Sequence, residues 1–553
     1  MSFKYKRITR RVPQGPGSLS GADVPPFLQR IYLARGIKTA QDLELKLQFL
    51  ADNGALRGLS DAIALLVSAL EQAQHILVVG DFDADGATST ALMISALRAM
   101  GARCDYLVPN RFEYGYGLTP EIVELAAQQS PDLIVTVDNG ISSIEGVEKA
   151  QSLGIKVLVT DHHLPGAQLP QADAIVNPNQ PGCEFMSKHA AGVGVAFYVL
   201  SSLRTHLKQN DWFSRRGIPE VNMADFLDLV ALGTVADLVP LDRNNRILVE
   251  QGLRRMRAGR CRPGILALLA VAQKDYRNVS STDLGFILGP RLNAAGRLDD
   301  MSLGIECLLC DDPLEARHLA QQLDSLNRQR KSIEEEMKRD AEQQIAQLKD
   351  IEAGDRWGVC LFDEQWHQGV IGILASRVKE RLHRPTIVFA PANSEALGED
   401  DIVKGSARSI KGLHMRDALD LVAKRAPDLL QKFGGHAMAA GMTIARKNLS
   451  AFSEAFDAVV KECLAEEDLE AVLYSDGPLD DDELAMPSIE LLQRAGPWGQ
   501  QFPEPCFDDE FHVVQSKVLK ERHLKLVLSR AQTGQLYDTI QFNSDWAHQP
   551  APG

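Results

Sequence analysis

The chain has 553 residues, of which 45% are hydrophobic and 24% charged, with a net charge of −15; this is too long for one hydrophobic core and too apolar for a disordered or fibrous chain. No stretch approaches the ~20 uninterrupted apolar residues of a membrane span, and no apolar segment follows the basic start, so neither membrane insertion nor export is expected and the cytoplasm is. The eight cysteines show no paired zinc-finger spacing and read as reduced thiols, including Cys307 and Cys310 in IECLLC.

Residues 1–46 read as an N-terminal segment. From residue 75, short β-branched runs alternate with helical patterns: HILVVG, ATSTALMISALRAMG, DLIVTVDNG, SIEGVEKAQSLG and KVLVTDHH. That alternation predicts βαβ units on a parallel sheet within a domain over 47–310 whose later part is mostly helical. Residues 312–349 hold no glycine and no proline after Pro313, which predicts a long connecting helix over 311–351. A second, smaller α/β domain is expected over 352–463, from WGVCLF through GVIGILASRVKERL and TIVFA to KFGGHAMAAGMTIA. An acidic linker follows, with ten Asp or Glu and no Lys or Arg in 466–490, so two thirds of the net charge sits there. The alternating runs FHVVQSKVL, HLKLVLS and DTIQFN then predict a small OB-like β-barrel, closing a domain over 464–553.

Four clusters follow strands or begin helices: Asp81, Asp83 and Asp85 in DFDADG, Asp138 in VDNG, Asp161-His162-His163, and Asp237 in GTVADLVPL. In a parallel sheet the strand C-terminal ends share one edge, so the first three converge. An extended segment would place Asp81, Asp83 and Asp85 on one side until Gly86 turns the chain. Carboxylates crowded in this way repel unless cations neutralise them. Oxygen ligands with one or two imidazoles and no thiolate favour two Mn²⁺ or Mg²⁺ ions. Paired ions about 3.5–4 Å apart activate water and stabilise the charge developing at phosphorus, so the expected reaction is phosphodiester or phosphoanhydride hydrolysis.

Phosphate handling is expected elsewhere. In KGSARSIKG, Ser406 and Arg408 at i and i+2 project to one side of an extended segment and suit a phosphate, with a structural ion pair the plainer role for Arg408. Gly434, Gly435 and His436 read as a glycine-rich turn that either holds a phosphate or simply reverses the chain. Tyr114 and Tyr116 either stack on bases or pack.

DFDADG, VDNG, Asp161-His162-His163 and GTVADLVPL together resemble the DHH phosphoesterases, and GGHAMAAG resembles their DHHA1 domain. PNRFEYGYGL, GPRLNAAGRL, LNRQRKSIE, WHQGVIGILASR and GSARS are similar to the RecJ single-strand exonuclease branch, over about residues 40–545. The resemblance implies an α/β fold: a parallel-sheet DHH domain, a long helix, a smaller α/β DHHA1 domain and an OB-like domain. It also implies that Asp83, Asp85, Asp138, His162 and Asp237 hold the metals, with Asp138 the bridge. Asp81 and His163 would orient water or a phosphate oxygen, making Asp81, His163 and Asp138 the catalytic set. Arg111 and Arg297 become candidates for backbone phosphates, and Arg328, Arg330 and Lys331 either line a DNA path or form a solvated helix face. The implied activity is 5′-to-3′ hydrolysis of single-stranded DNA in recombination and repair, by a monomer cooperating with single-strand-binding protein and a RecQ-type helicase. The alternatives are a small-substrate DHH phosphoesterase and a catalytically silent replication scaffold.

Overall fold

The computed structural model of the protein describes residues 7–13, 15–19, 21–110, 114, 117–347, 355–392, 398, 401–520, 523–530 and 533–542. These form two compact units: a larger one from Gln41–Ala471 with Gly496–Pro503, and a smaller one from Arg7–Ala40, Val472–Ala495 and the described residues from Glu504 on. The first strand, β1 (Arg7–Arg10), belongs to the smaller unit.

The larger unit opens with the expected parallel sheet: β2 (His75–Gly80), β3 (Arg103–Leu107), β4 (Leu133–Val137), β5 (Lys156–Thr160) and β6 (Ala174–Val176), in the order β3-β2-β4-β5-β6. β2 and β4 are buried along their whole length, as strands covered on both faces must be, which explains their unbroken apolar runs. One face packs Leu77, Val79, Ile134 and Val157 against Ile122 and Val147. The Ala84–Ala99 helix, buried nearly all round, packs against β2 and the helices Gly192–Gln209 and Leu227–Ala236. Register pairs Gly80 with Val137 and Val137 with Thr160, so the next residues of the three strands, Asp81, Asp138 and Asp161, leave the sheet side by side.

The connecting helix runs Pro313–Gln347, 35 residues and about 52 Å long. Its first half buries Leu319, Ala320 and Leu323 in the first domain, and its second half places Met337, Ala341 and Ile345 in the core of the second. It thus belongs to two cores at once. Arg330 is buried and bound to Glu334 and Asn327 and so serves the helix packing, whereas Arg328 pairs with Asp324 from an exposed position on the solvated face.

The second domain is a mixed sheet, β7 (Val359–Phe362), β8 (Thr386–Pro391), β9 (Ile402–Arg408), β10 (Lys432–Gly435) and β11 (Ala439–Ala445), in the order β10-β11-β9-β8-β7. Val403, Ala407, Met442 and Ile444 face a core built with Phe452 and Phe456. Val388 and Ala390 on the opposite face pack against the Ile371–Leu382 helix.

In the smaller unit, β1 pairs in parallel with β12 (Val472–Ser475), and β13 (Phe511–Leu519), β14 (His523–Arg530) and β15 (Leu536–Gln541) form an antiparallel sheet from the three predicted runs. Two expectations about this region change. The stretch 466–490 is not a bare linker, since it carries β12 and the start of the Met486–Arg494 helix. The N-terminal segment is not separate: β1 satisfies the edge of β12, and Arg35 makes a buried ion pair with Asp476 at 2.7 Å, a charge that could not be buried alone. Gly496–Pro503 instead belongs to the larger unit, where Ser281 Oγ donates to Trp498 O (2.7 Å) and the Arg246 guanidinium lies 4.6 Å from the centre of the Phe502 ring.

Candidate active site

The carboxylates at the sheet edge are held by the elements that begin there. Asp83 caps the Ala84–Ala99 helix, one of its oxygens accepting from the amides of Asp85 (2.9 Å) and Gly86 (3.0 Å). The expected extended alternation therefore ends at Asp83, and Asp85 lies in the first helical turn. Its carboxylate accepts from Gly192 N (2.7 Å) and Val193 N (3.0 Å), capping the Gly192–Gln209 helix. Gly86 has a steric purpose rather than a turning one, because a Cβ there would come 2.5 Å from Asp81 O. Asp138 sits in the left-handed region (φ +62°), unusual for a side chain other than glycine or asparagine, and the Asn139 amide bonds Val79 O (3.2 Å) and Val137 O (2.9 Å) to hold the turn. Gly192 leaves room for it, since a Cβ there would lie 2.6 Å from Asp138 Oδ1.

Three groups bring ligand atoms within 4.8 Å of one another: Asp81, Asp83 and Asp138; Asp138, His162 and His163; and Asp85, His162 and Asp237. His162 Nε2 is 3.1 Å from Asp138 Oδ1 and 3.5 Å from Asp237 Oδ2. Among the described residues, His162 Nε2 and Asp237 Oδ2 are buried without a hydrogen bond, which is what a cation site requires and a packed core avoids. Burial, with the other aspartates as neighbours, pushes Asp138 and Asp237 well above the usual carboxylate range and Asp85 up to about 7. Burial and the charge of His163 lower His162 to about 4, so it presents a neutral imidazole. The donor set fits hard divalent cations.

His163 is tuned the other way. Burial opposes its charge, but Asp161, 2.8 Å from Nδ1, with Asp81 and Asp83 nearby, raises it to about 9. Asp161 accepts from Ile141 N (2.9 Å), His162 N (2.7 Å) and His163 N (3.1 Å), and although burial works against it, His163 holds it below its usual range. Asp161 thus orients His163, a part that no sequence signal singles out, although it heads the same tripeptide.

The second domain reaches this site. The ring of His436 stacks on that of His163, centroids 6.3 Å apart and planes inclined by 23°. Gly434 and Gly435 end β10, and the turn itself is formed by the residues after them. Gly435 has φ +147°, and a Cβ would lie 2.5 Å from Ala439 O, whereas nothing lies within 4 Å of a Cβ at Gly434 or Gly441. Ser406, Gly441 and Gly434 are in register across three strands, so the sheet surface is open beside Ser406. Arg408 Nη1 donates to Ser406 Oγ (3.2 Å) and Ala407 O (2.8 Å), confirming the shared side. Gly372, in the first turn of the Ile371–Leu382 helix, is close enough that a Cβ would lie 2.9 Å from Arg408 Nη2 and 3.0 Å from Ser406 Oγ. Burial disfavours the Arg408 charge, yet among the described residues no carboxylate pairs with it. Among the described residues, then, it has no structural ion pair, and an anion from outside fits.

Arg297 Nη1 donates to Gly369 O (3.1 Å), linking the two domains of the larger unit. Arg111 and Tyr116 lie outside the described residues; Tyr114 packs against the apolar core beside β2. Asn293 Oδ1 accepts from Ala84 N (2.8 Å) and ties GPRLNAAGRL to the start of the metal-site helix; the motif was visible, but only its arginine stood out.

A family model of the DHH family N-terminal domain matches residues 75–234, a DHHA1 domain model 354–462 and a RecJ OB domain model 475–551. The chain is 52% identical to the single-stranded-DNA-specific exonuclease RecJ of Salmonella typhimurium, over 100% of this chain and 95% of that one. To the protein of the same name in Escherichia coli it is 53% identical, over 97% and 92%. In structure it is similar to RecJ of Thermus thermophilus in complex with Mn²⁺ (TM-score 0.76, 29% identity, 97% of this chain and 79% of that one). It is also similar to an exonuclease RecJ bound to manganese (TM-score 0.60, 33% identity, 75% and 98%).

Proposed function

The chain belongs to the RecJ family of DHH and DHHA1 phosphoesterases, and from that premise we propose that it is a metal-dependent exonuclease that degrades single-stranded DNA from the 5′ end. Its cofactor is Mn²⁺ or Mg²⁺, held as two ions by Asp83, Asp85, Asp138, His162 and Asp237. Asp138 and His162 each belong to two of the three ligand groups, and of the two only the carboxylate has two oxygens to offer two ions, which supports the reading of Asp138 as the bridge. Such ions activate water and neutralise charge at phosphorus.

The remaining residues bind and orient. Asp81 lies beside Asp83 and Asp138 and positions the attacking water. His163, charged and fixed by Asp161, faces the phosphate oxygens as a hydrogen-bond donor. Gly434, Gly435 and His436 hold the scissile phosphate from the second domain, and Arg111 and Arg297 lie along the strand's path. Polarity is carried by one observation: Arg408 is a half-buried cation with no carboxylate partner among the described residues, seated with Ser406 on an open sheet surface. A terminal 5′ phosphate completes that pair.

Family membership also supports a role in recombination and repair, single-strand-binding protein and a RecQ-type helicase as partners, and work as a monomer in the cytoplasm. No helix among the described residues is long and apolar enough to cross a membrane. A metal titration with a 5′-labelled oligonucleotide tests the central reading. Early release of labelled mononucleotide, only with Mn²⁺ or Mg²⁺ and only from single strands, is expected. Label that persists in steadily shortening fragments would refute the polarity, and hydrolysis in EDTA would refute the metal chemistry.

A further inference from the structure

A cavity of about 630 Å³ opens beside the C-terminal half of the Ala84–Ala99 helix, lined by that helix at Ile94, Ser95 and Arg98. Ser95 is ten residues past Asp85, about 15 Å along the helix axis, so the cavity is separate from the metal site. On a chain of net charge −15, its lining has four arginines, Arg98, Arg255, Arg260 and Arg262, against two aspartates, Asp225 and Asp311.

The arginines differ in what they have left to give. Arg262 is held by Asp228 and Leu308 O and serves as a wall. Arg255 pairs with Asp225, yet its Nε is buried and has no hydrogen-bond partner among the described residues. Arg260, exposed at the rim, makes no side-chain hydrogen bond or ion pair among the described residues. A buried donor left unmade is costly, so an acceptor is missing from the account. Ile94, Phe226 and Leu309 provide the apolar part of the lining, and the Pro263–Val271 helix begins at the cavity with its positive end.

We infer that this cavity is a second, non-catalytic site for a nucleoside 5′-monophosphate: the phosphate lies on Arg255 and Arg260, and the base lies against Phe226 and Leu309. The ligand is the product class of the hydrolysis, and its identity rests on the function proposed above. The volume is enough for one nucleotide, and the site would report accumulated product to the helix that carries Asp83 and Asp85.

The test is calorimetry on the full chain carrying Asp138→Ala in EDTA, which removes phosphate binding through metals, titrated with dTMP, thymidine and inorganic phosphate. One dTMP should bind, thymidine and phosphate should bind more weakly, and Arg260→Ala should weaken dTMP about tenfold or more. Ser95→Leu, which fills the cavity from a half-buried position, should do the same, with circular dichroism confirming both folds. Arg260→Ala in the otherwise unaltered enzyme should still degrade single-stranded DNA. Failure of dTMP to bind, or binding indifferent to both substitutions, overturns the inference; phosphate binding as tight as dTMP reduces it to an adventitious ion only. If dTMP binds as described but the unaltered enzyme degrades no DNA, the cavity stands and the functional reading falls.

Discussion

The imidazole of His436 stacks on that of His163 at 6.3 Å, so the active site is completed by a residue more than 270 positions downstream on a different sheet. On the function proposed above, the metals need only the first domain, whereas the phosphate needs both. His436→Ala should therefore leave Mn²⁺ affinity unchanged by calorimetry and lower turnover about a hundredfold, the usual effect of losing one donor to a developing charge. A matching loss of metal affinity would show His436 to be a ligand instead.

Asp138→Ala should abolish hydrolysis. Retention of more than about a tenth of turnover, as when a merely supporting residue is lost, would rule out bridging. Stability should move the opposite way. A carboxylate whose pKa is raised by folding destabilises the fold as pH rises from the ordinary carboxylate value through the raised one, because the unfolded chain releases its proton first. In EDTA at neutral pH the variant should melt a few degrees higher than the parent; with Mn²⁺ present the order should reverse.

The Asp161–His163 pair predicts a pH slope. His163 is raised from 6.5 to about 9, so its contribution is fully present below 6.5 and is lost as pH climbs through about 9. Melting temperature in EDTA should fall across that window, and Asp161→Asn should flatten the fall while cutting turnover with metal stoichiometry unchanged. An identical slope in the variant would assign the titration to another group.

Arg408→Ala should remove most of the preference for 5′-phosphorylated over 5′-hydroxyl oligonucleotides. Charge-assisted hydrogen bonds are about twice as strong as neutral ones, and Ser406 alone cannot replace them. The comparison needs only the two substrates and both proteins. An unchanged ratio would direct attention to Arg111 and Arg297.

Truncation after Pro503 keeps the Trp498 and Phe502 contacts of the larger unit and removes β13, β14 and β15. Hydrolysis of very short oligonucleotides should persist, while affinity for long strands should fall by about 1–3 kcal/mol for each base that stacks there. Residues 517–530 carry five Lys or Arg against one acid, so the loss should shrink at high salt. Equal affinity for long strands before and after truncation would remove the DNA-binding role of these strands.

What could be read from the chain alone divides along physical lines. β2, β4 and β5 were legible because strands buried on both faces must be continuous apolar runs, and once they are parallel neighbours the acids at their ends have to meet. Ser406 and Arg408 were legible from alternation alone. Asp85 was misplaced because DFDADG carries no mark of where strand character stops, and the helix start is set by the Asp83 cap. β1 was missed because RITR has no apolar face, and nothing local in it reports a partner near residue 472. The two-core helix was seen, but the burial of Arg330 depends on Glu334 and Asn327 meeting it in three dimensions, which a count of charges does not show.

The pairing of β1 with β12 sets an order of events during synthesis. Arg7 leaves the ribosome 465 residues before its partner Val472. At about 5–20 residues per second the wait between them is about half a minute to a minute and a half. Nearly all of the catalytic unit can assemble in that interval, while the smaller unit has no complete sheet to form. The nascent enzyme therefore acquires its chemistry before its second unit, and β1 must pass that time as an unpaired basic strand.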